Sequence, residues 1–553
     1  MWEALFVFKW LKSGSPWIWL TGGAVSISLL SVLGLLLLIG WKGLSYFWPA
    51  PLYQWQTQQG DSLVGQLYAE EYVPISHLRE MDIILPATVE EKGQVKRLSI
   101  KVANRDIYPA DFISLLELDL LEATRPQGWA VVERTRGGDF FGIPRGYYHG
   151  EEVSGDHLTY ITRGLAFAGE LRDDIDRLVT KQIRVLSGQA EQLRLEKRRR
   201  ELNGKLDQAF ITRYDTQTRI ISQQLVDMEA ELDRLRSQLL EQGLVIEDMH
   251  GDQYRIPLSD ILDIWYPNQM SMLDKIGHWA QQAWKFLSSD PRESNSEGGV
   301  FPAMFGTVLM VLIMSIVVMP LGVIAAVYLH EYAKNNAFTR IIRVAVINLA
   351  GVPSIVYGVF GLGFFVYTLG GSIDALFYTE HLPSPTFGTP GLLWSALTLA
   401  VLTLPVVIVA TEEGLTRIPS SVRHGSLALG ATQFETMWRI VLPMASPAII
   451  TGLILAVARA AGEVAPLMLV GVVKLASTLP VDSQFPFLHL ERKFMHLGFH
   501  IYDVGFQTTN IEAARPLVYA TSFLLVTVII GLNLTAISIR NNLREKYRTL
   551  GQD

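Results

Sequence analysis

The chain has 553 residues, a formal net charge of −7, 18% charged residues and no cysteine, with a mean hydropathy of +0.24. Such a length usually divides into several domains, and so apolar a balance is unusual for a soluble protein. The acidic balance, with no Lys/Arg-rich patch interleaved with aromatics, argues against a nucleic-acid binder. The missing cysteines exclude disulfides, thiolate metal sites and a cysteine nucleophile.

In chain order, the first 16 residues carry Lys9 and Lys12, and the run from Trp17 to Trp41 is uncharged. A cleavable signal has an apolar core of roughly 7–15 residues and a small-residue cleavage site. This run is longer and leads into WPAP, so it predicts a retained anchor helix within residues 1–45. A polar region follows, 42–300. Five more apolar runs lie at approximately 303–329, 344–369, 390–410, 447–471 and 516–538; each reaches the roughly 20 residues that cross a bilayer as a helix. The fold class predicted is mostly α: a polytopic membrane protein with six transmembrane helices, plus an α+β extracytoplasmic domain at 46–297 that contains a coiled-coil hairpin.

Orientation rests on basic residues near the span ends. Lys9 and Lys12 place the N-terminus in the cytoplasm, and six crossings return the tail 541–553 there, where Arg540 just before it and Arg544, Lys546 and Arg548 within it supply basic charge. Lys334, Arg340, Arg343, Arg417, Arg423 and Arg439 occupy loops expected inside, whereas the loop 370–389 has Asp374 and Glu380 but no Lys or Arg. The loop 472–515 is mixed.

Within the polar domain, residues 55–165 read as short strands, such as MDIILPATV (81–89), RLSIKV (97–102) and WAVVERT (129–135), separated by Gly, Asn, Asp and Pro. Residues 168–242 read as long helix. Ile221, Leu225, Met228, Leu232, Leu235 and Leu239 form a heptad seam. FITRYDTQT (210–218) breaks that seam, which predicts a hairpin turn there. Strand signal returns in GLVIEDMHGDQYRIPLSDILDIWYPN. GDFFGIP (138–144) and GDQYRIP (251–257) share G-D-x-x-x-I-P, which suggests two related hairpins flanking the helical insertion, or coincidence. FLSSDPRESNSEGG (286–299) reads as a linker.

No P-loop, H-E-x-x-H or G-x-S-x-G occurs, so this chain cannot bind and hydrolyse ATP by a P-loop; no enzyme activity and no cofactor is expected. HLERKFMHLGFH brings His489, His496 and His500 together. Solvent-facing histidines outweigh a metal site there, and no metal is expected. The loop 411–445 reads as two helices around a corner. Ser420 or Ser421 caps a short helix ending at Gly430, and Thr432 with Glu435 makes a T-x-x-E capping box. The run from Pro447 to Gly471 carries two charges, Arg459 and Glu463, in ARAAGEVAPL. A charge near mid-span costs at least roughly 2.5–3.5 kcal/mol, so it faces protein or a water-filled path. The pair either neutralises itself within the bundle or meets an anion.

Gly430, Ile440, Leu442 and Pro443 follow G-x9-I-x-L-P, which resembles the coupling loop of ABC importer permeases; the usual E-A-A positions hold His424, Gly425 and Ser426. GGVFPAMFGTV, AAVYLHEYA, NLAGVPSIVYGVFGLGFF, LALGATQFETMWRIVLP and ARAAGEVAPL, in order across 298–540, together resemble the A-subunit permeases of phosphate ABC importers. The resemblance implies a five-helix permease core at 298–540 and an inner-membrane location. It also implies a second, C-type permease subunit, a dimer of ATPase subunits and a periplasmic phosphate-binding protein as partners. By the same resemblance, Arg459 and Glu463 would belong to the phosphate path, and the loop carrying His424 to Pro443 would dock the ATPase. A permease for another oxyanion and a non-transporting membrane scaffold or sensor are the alternatives. HEYAK (330–334) reads as an interfacial anchor, and GVPSIVYGVFGLG (351–363) as a broken helix lining the path or as close packing.

Overall fold

A computed structural model describes residues 15–549, apart from 59, 81–93, 156, 335, 509 and 510. Lys9, Lys12 and the segment MDIILPATV lie outside the described residues.

Six helices among the described residues are long and apolar enough to cross a bilayer: Trp17–Ser45, Phe301–Tyr332, Ser354–Phe377, Leu392–Thr416, Gln433–Gly462 and Ala514–Asn542. The fourth is the axis of the bundle. Leu399 and Leu402 on it, Met310, Met314 and Val318 on the second span, and Ala456, Ala460 and Ala461 on the fifth form one buried cluster. Small residues set the helix distances, because lipid gives no hydrophobic drive for helices to associate and close van der Waals contact must supply it. A Cβ on Gly322 would stand 2.6 Å from Val407, and one on Gly452 2.8 Å from Ala410. The first span stands at the edge, its apolar side chains exposed. It touches the last span through Gly40 and Gly43, beside Phe523 and the Tyr519 carbonyl.

Two spans differ from the hydropathy reading. The run expected at 344–369 is split. Residues Ala337–Leu349 form a separate helix that exposes Phe338, Ile341, Val344 and Ile347. The chain breaks at Gly351–Pro353, and the span starts at Ser354, with a π-helical stretch over Gly361–Gly370. Proline disfavours the helical conformation for the residue before it and offers no N–H, so the two helices cannot run on. The run expected to reach 471 stops at Gly462. Glu463 is extended (φ −79°, ψ 134°), and helix resumes only at Leu467, just after Pro466.

Among the described residues the polar region contains two larger antiparallel sheets. In the first, β1 (Tyr53–Gln56), β2 (Ser62–Pro74), β3 (Gln94–Lys101) and β4 (Phe112–Leu116) pair in sequence order. The second has the order β10-β5-β6-β8-β9, built from β5 (Ala130–Arg134), β6 (Phe140–His149), β8 (Gln242–Glu247), β9 (Gln253–Pro257) and β10 (Ile261–Trp265). A short β7 (Glu152–Ser154) adds to β6. The two G-D-x-x-x-I-P segments each turn into a strand that borders β8, but three residues apart in register: Ile143 pairs with Glu247, whereas the matching Ile256 pairs with Leu244. Gly138 and Gly251, at φ +70° and +89°, take the left-handed turn conformation that glycine adopts without a Cβ clash.

Between β7 and β8 the chain leaves as His157–Arg177, a π-helical turn and Arg184–Leu202, and returns as Gln208–Leu240. The reversal is at 203–207 and not at FITRYDTQT, which lies inside the return helix. Gly204 at φ +64° ends the outgoing helix, and Asp207 caps the next by accepting from Phe210 N at 2.7 Å. Near the sheet, Leu232, Leu235 and Leu239 pack on Ala168, Leu171 and Leu178. Toward the tip, Lys197 over Tyr214 (4.5 Å) and Arg200 over Phe210 (4.2 Å) replace the leucine seam.

The stretch 286–299 is a joint and not a loose linker. Phe286 is buried, and Arg292 pairs with Glu297 in a two-residue ladder. Toward the sheets, Arg292 reaches Glu133 (2.7 Å), Arg105 reaches Glu297 (3.2 Å) and Gly137 N donates to Glu293 (2.9 Å). Toward the helices, buried Asn295 donates to Lys474 O at 2.8 Å and to Asp503 at 3.2 Å. Its composition looks like a linker because the partners that pair its polar groups lie far away in sequence.

Candidate functional site

The charges of ARAAGEVAPL stand at a helix end. Arg459 is in the last turn of the fifth span, and Glu463 is the residue that caps it. The negative end of the helix dipole favours a cation there. Arg459 is thus not at mid-span, as an unbroken run to 471 would place it. Its neighbours Ala460 and Ala461 are fully buried, whereas Leu455 and Gly462 are exposed, so Arg459 lies on the open face of its helix. Arg459 Nε is 3.6 Å from Glu463 Oε1, and the two side chains are 32% and 20% exposed. Among the described residues Arg459 makes no hydrogen bond, which leaves a fork of guanidinium donors unspent.

The helix end is held from behind by the third span. A Cβ on Gly358 would stand 2.7 Å from Pro466 Cα, and one on Gly361 would be 2.2 Å from Thr398 and 3.0 Å from Val470. Gly358 and Gly361 of GVPSIVYGVFGLG therefore serve close packing behind ARAAGEVAPL, whereas a Cβ on Gly363 would meet open space, and the helix break falls earlier, at Gly351–Pro353.

At the other end of the same span is the elbow. Its first helix is Ser420–Ala428, with Pro419 at the N-cap and no side-chain cap, so neither Ser420 nor Ser421 plays that part. Gly430 turns the chain at φ +90°. The capping box is present: Glu435 N donates to Thr432 Oγ1 at 3.2 Å and Thr432 N to Glu435 Oε2 at 3.0 Å. Ser426 Oγ and Thr436 Oγ1, buried and 2.8 Å apart, pin the two helices together. His424 and Gly425 are exposed, and Leu429 projects at the corner, 91% exposed. Ile440, Leu442 and Pro443 lead from the elbow into the span.

One connection was not legible in the sequence. Glu331 of HEYAK forms an ion pair with Arg423 of the elbow at 2.9 Å, and His330 bridges Glu331 (2.9 Å) and Thr416 (3.2 Å). The ends of the second and fourth spans are thereby tied to the elbow. The residues lie over 80 positions apart, and no local periodicity links them.

Residues 318–549 match the family described as binding-protein-dependent transport system inner membrane component. Over 262 residues the chain is 31% identical to a probable ABC transporter permease protein, YqgI, of Bacillus subtilis, which covers 46% of this chain and 83% of that one. The identity is 35% over 245 residues to the phosphate transport system permease protein PstA 1 of Mycobacterium tuberculosis, covering 44% and 71%. It is 30% over 252 residues to the PstA of Yersinia pestis, covering 45% and 75%. The chain belongs to this permease family. It is a multi-pass inner-membrane protein and a non-catalytic subunit.

The permease also corrects the histidine reading. His489, His496 and His500 are buried, not solvent-facing. His489 bonds Asp482 (3.1 Å) and Glu491 (3.0 Å). Burial holds His496 and His500 at a pKa of about 4, hence neutral near pH 7. No group of three metal-ligating side chains with metal geometry occurs among the described residues.

Proposed function

We propose that this permease is the transmembrane subunit of an ATP-driven phosphate importer, forming half of the translocation path beside a second, C-type permease. The observation that carries this reading is Arg459, a guanidinium with unspent donors on an open helix face, at the end of a span and, among the described residues, paired with Glu463 alone. Its planar fork suits the paired oxygens of an oxyanion. Glu463 keeps the fork oriented and its charge stops the site from holding an anion too tightly. The PstA relatives support phosphate as the substrate class.

The elbow would dock a separate ATPase dimer. It lacks the acidic residue of the usual E-A-A, and His424, Gly425 and Ser426 stand there instead. Exposed Leu429, Phe434 and Trp438 supply an apolar docking edge, with the Phe434 and Trp438 rings stacked 6.3 Å apart. In this orientation both termini are cytoplasmic, residues 46–297 are periplasmic, and a periplasmic phosphate-binding protein delivers substrate from that side.

Arg459→Gln and Arg459→Lys variants, assayed for uptake of labelled phosphate and for complex assembly, test the site. Loss of uptake with normal assembly in Arg459→Gln, and partial recovery in Arg459→Lys, is expected. Normal uptake in Arg459→Gln would sink the path role; lost assembly would make the residue a packing element. Competition by sulfate or molybdate as strong as by phosphate would assign another oxyanion.

A further inference from the structure

The helix Met272–Ser288, which joins the last strand of the sheets to the joint, is amphipathic in an unusual sense. At 100° per residue, Met272, Leu273, Ile276, Trp279, Ala280, Ala283, Trp284 and Leu287 fall within about 140° of arc. On a globular protein this face would turn inward. Here the polar side does. Lys285 is bonded to Asp263 at 2.7 Å and to Glu133 at 3.4 Å, Gln282 to Glu133 at 3.4 Å, and the His278 ring lies 4.6 Å from that of Trp265. The apolar side faces out. Met272 is 67% exposed, Leu273 81%, Ile276 51% and Trp284 69%.

Its position says what covers that face. Trp279 Nε1 donates to the carbonyl of Leu44, in the last turn of the first span, at 2.8 Å. At the other end, Val300 N donates to Phe286 O at 2.9 Å, and the second span begins with the next residue, Phe301. The helix is therefore held at the level where two spans leave the membrane. Trp41, Tyr46 and Trp48 are exposed around the same end of the first span. Trp and Tyr concentrate at membrane–water interfaces, where one part of the ring is apolar and the other wet. The exposed face of Met272–Ser288 continues the lipid-facing surface of the first span, and its two tryptophans continue this aromatic belt.

We propose that Met272–Ser288 lies in the headgroup–acyl boundary of the bilayer, with Leu273, Ile276 and Trp284 among lipid and Lys285 and Gln282 against the sheets. A helix so placed buries its apolar face several ångströms into the boundary without crossing it. The second sheet is then seated on the membrane at a fixed height. The helical hairpin above keeps its hold on two loops of the bundle, through Arg199 on Glu380 and Gln484 Nε2 on the Arg184 carbonyl at 2.9 Å.

The absence of cysteine makes a clean test available. Leu273→Cys and Ile276→Cys, with Glu229→Cys on the exposed hairpin as control, are each labelled with an environment-sensitive fluorophore in the full chain, assembled with its partner subunits in proteoliposomes. The probes at 273 and 276 should emit to the blue of the control, be quenched by brominated acyl chains and be shielded from aqueous iodide. Iodide quenching equal to the control would overturn the proposal. So would shielding from iodide with no response to brominated lipid, which would mean that another protein covers the face.

Discussion

The helical core and the polar domain solve opposite problems with the same chain. In the core, lipid offers no reward for burying apolar surface, so spans are held by close contact at Gly322, Gly358, Gly361 and Gly452 and by alanines on the fifth helix. In the polar domain, water drives apolar side chains inward, and Leu244, Ile246, Leu258 and Ile261 are fully buried. There charges are used freely: Arg134 with Asp106, Lys101 with Asp139, Arg145 with Glu247. The difference teaches where charge carries meaning. An ion pair in the domain is one of many. In the core, Arg459 with Glu463 and Arg423 with Glu331 stand at opposite ends of the fifth span, where the proposed function puts the anion and the ATPase.

Acid should affect the core side most. His496 and His500 are buried and neutral, with a folded pKa of about 4 against an ordinary 6.5. Because the unfolded rings take up protons first, stability is full above about pH 6.5 and is lost as the pH falls toward 4, by about 3 kcal/mol per ring. Thermal unfolding of the detergent-solubilised protein across pH 4–7 should show this, and His500→Leu should remove roughly half of the dependence. An equal slope in His500→Leu would show that other groups titrate.

A cavity in the sheet should damage the domain and spare the path. Ile246→Ala, at a fully buried position, should cost about 2–5 kcal/mol of domain stability, read as earlier proteolysis of residues 46–297 with the spans still protected. Simultaneous loss of the spans would mean that the two regions unfold as one unit.

A smaller effect, on function and not on folding, is expected at the elbow. Arg423→Gln cuts the tie to Glu331 and should lower uptake about tenfold, near 1.4 kcal/mol, with the ATPase still bound. Unchanged uptake would reduce that tie to local packing. The least effect is expected at Arg199→Ala. It releases one hold of the hairpin on the bundle, so cross-linking between hairpin and loop should fall while uptake is nearly kept. Abolished uptake would bring the hairpin into the transport cycle.

Six spans, the capping box at Thr432–Glu435 and the family motifs were all legible in the sequence, since each depends on neighbours within about twenty residues. The leucines of the return helix were legible too, because their spacing repeats. Tertiary structure alone decided the rest. It set the end of the fifth span at Gly462, which moved Arg459 from mid-helix to a helix end. It turned the stretch 286–299 into a joint, buried the three histidines, brought Glu331 to Arg423, and pointed the apolar side of Met272–Ser288 outward. The physical reason is common to these cases. Hydropathy reports which medium a stretch prefers on average, whereas the side on which that medium lies is fixed by contacts between residues far apart in the chain.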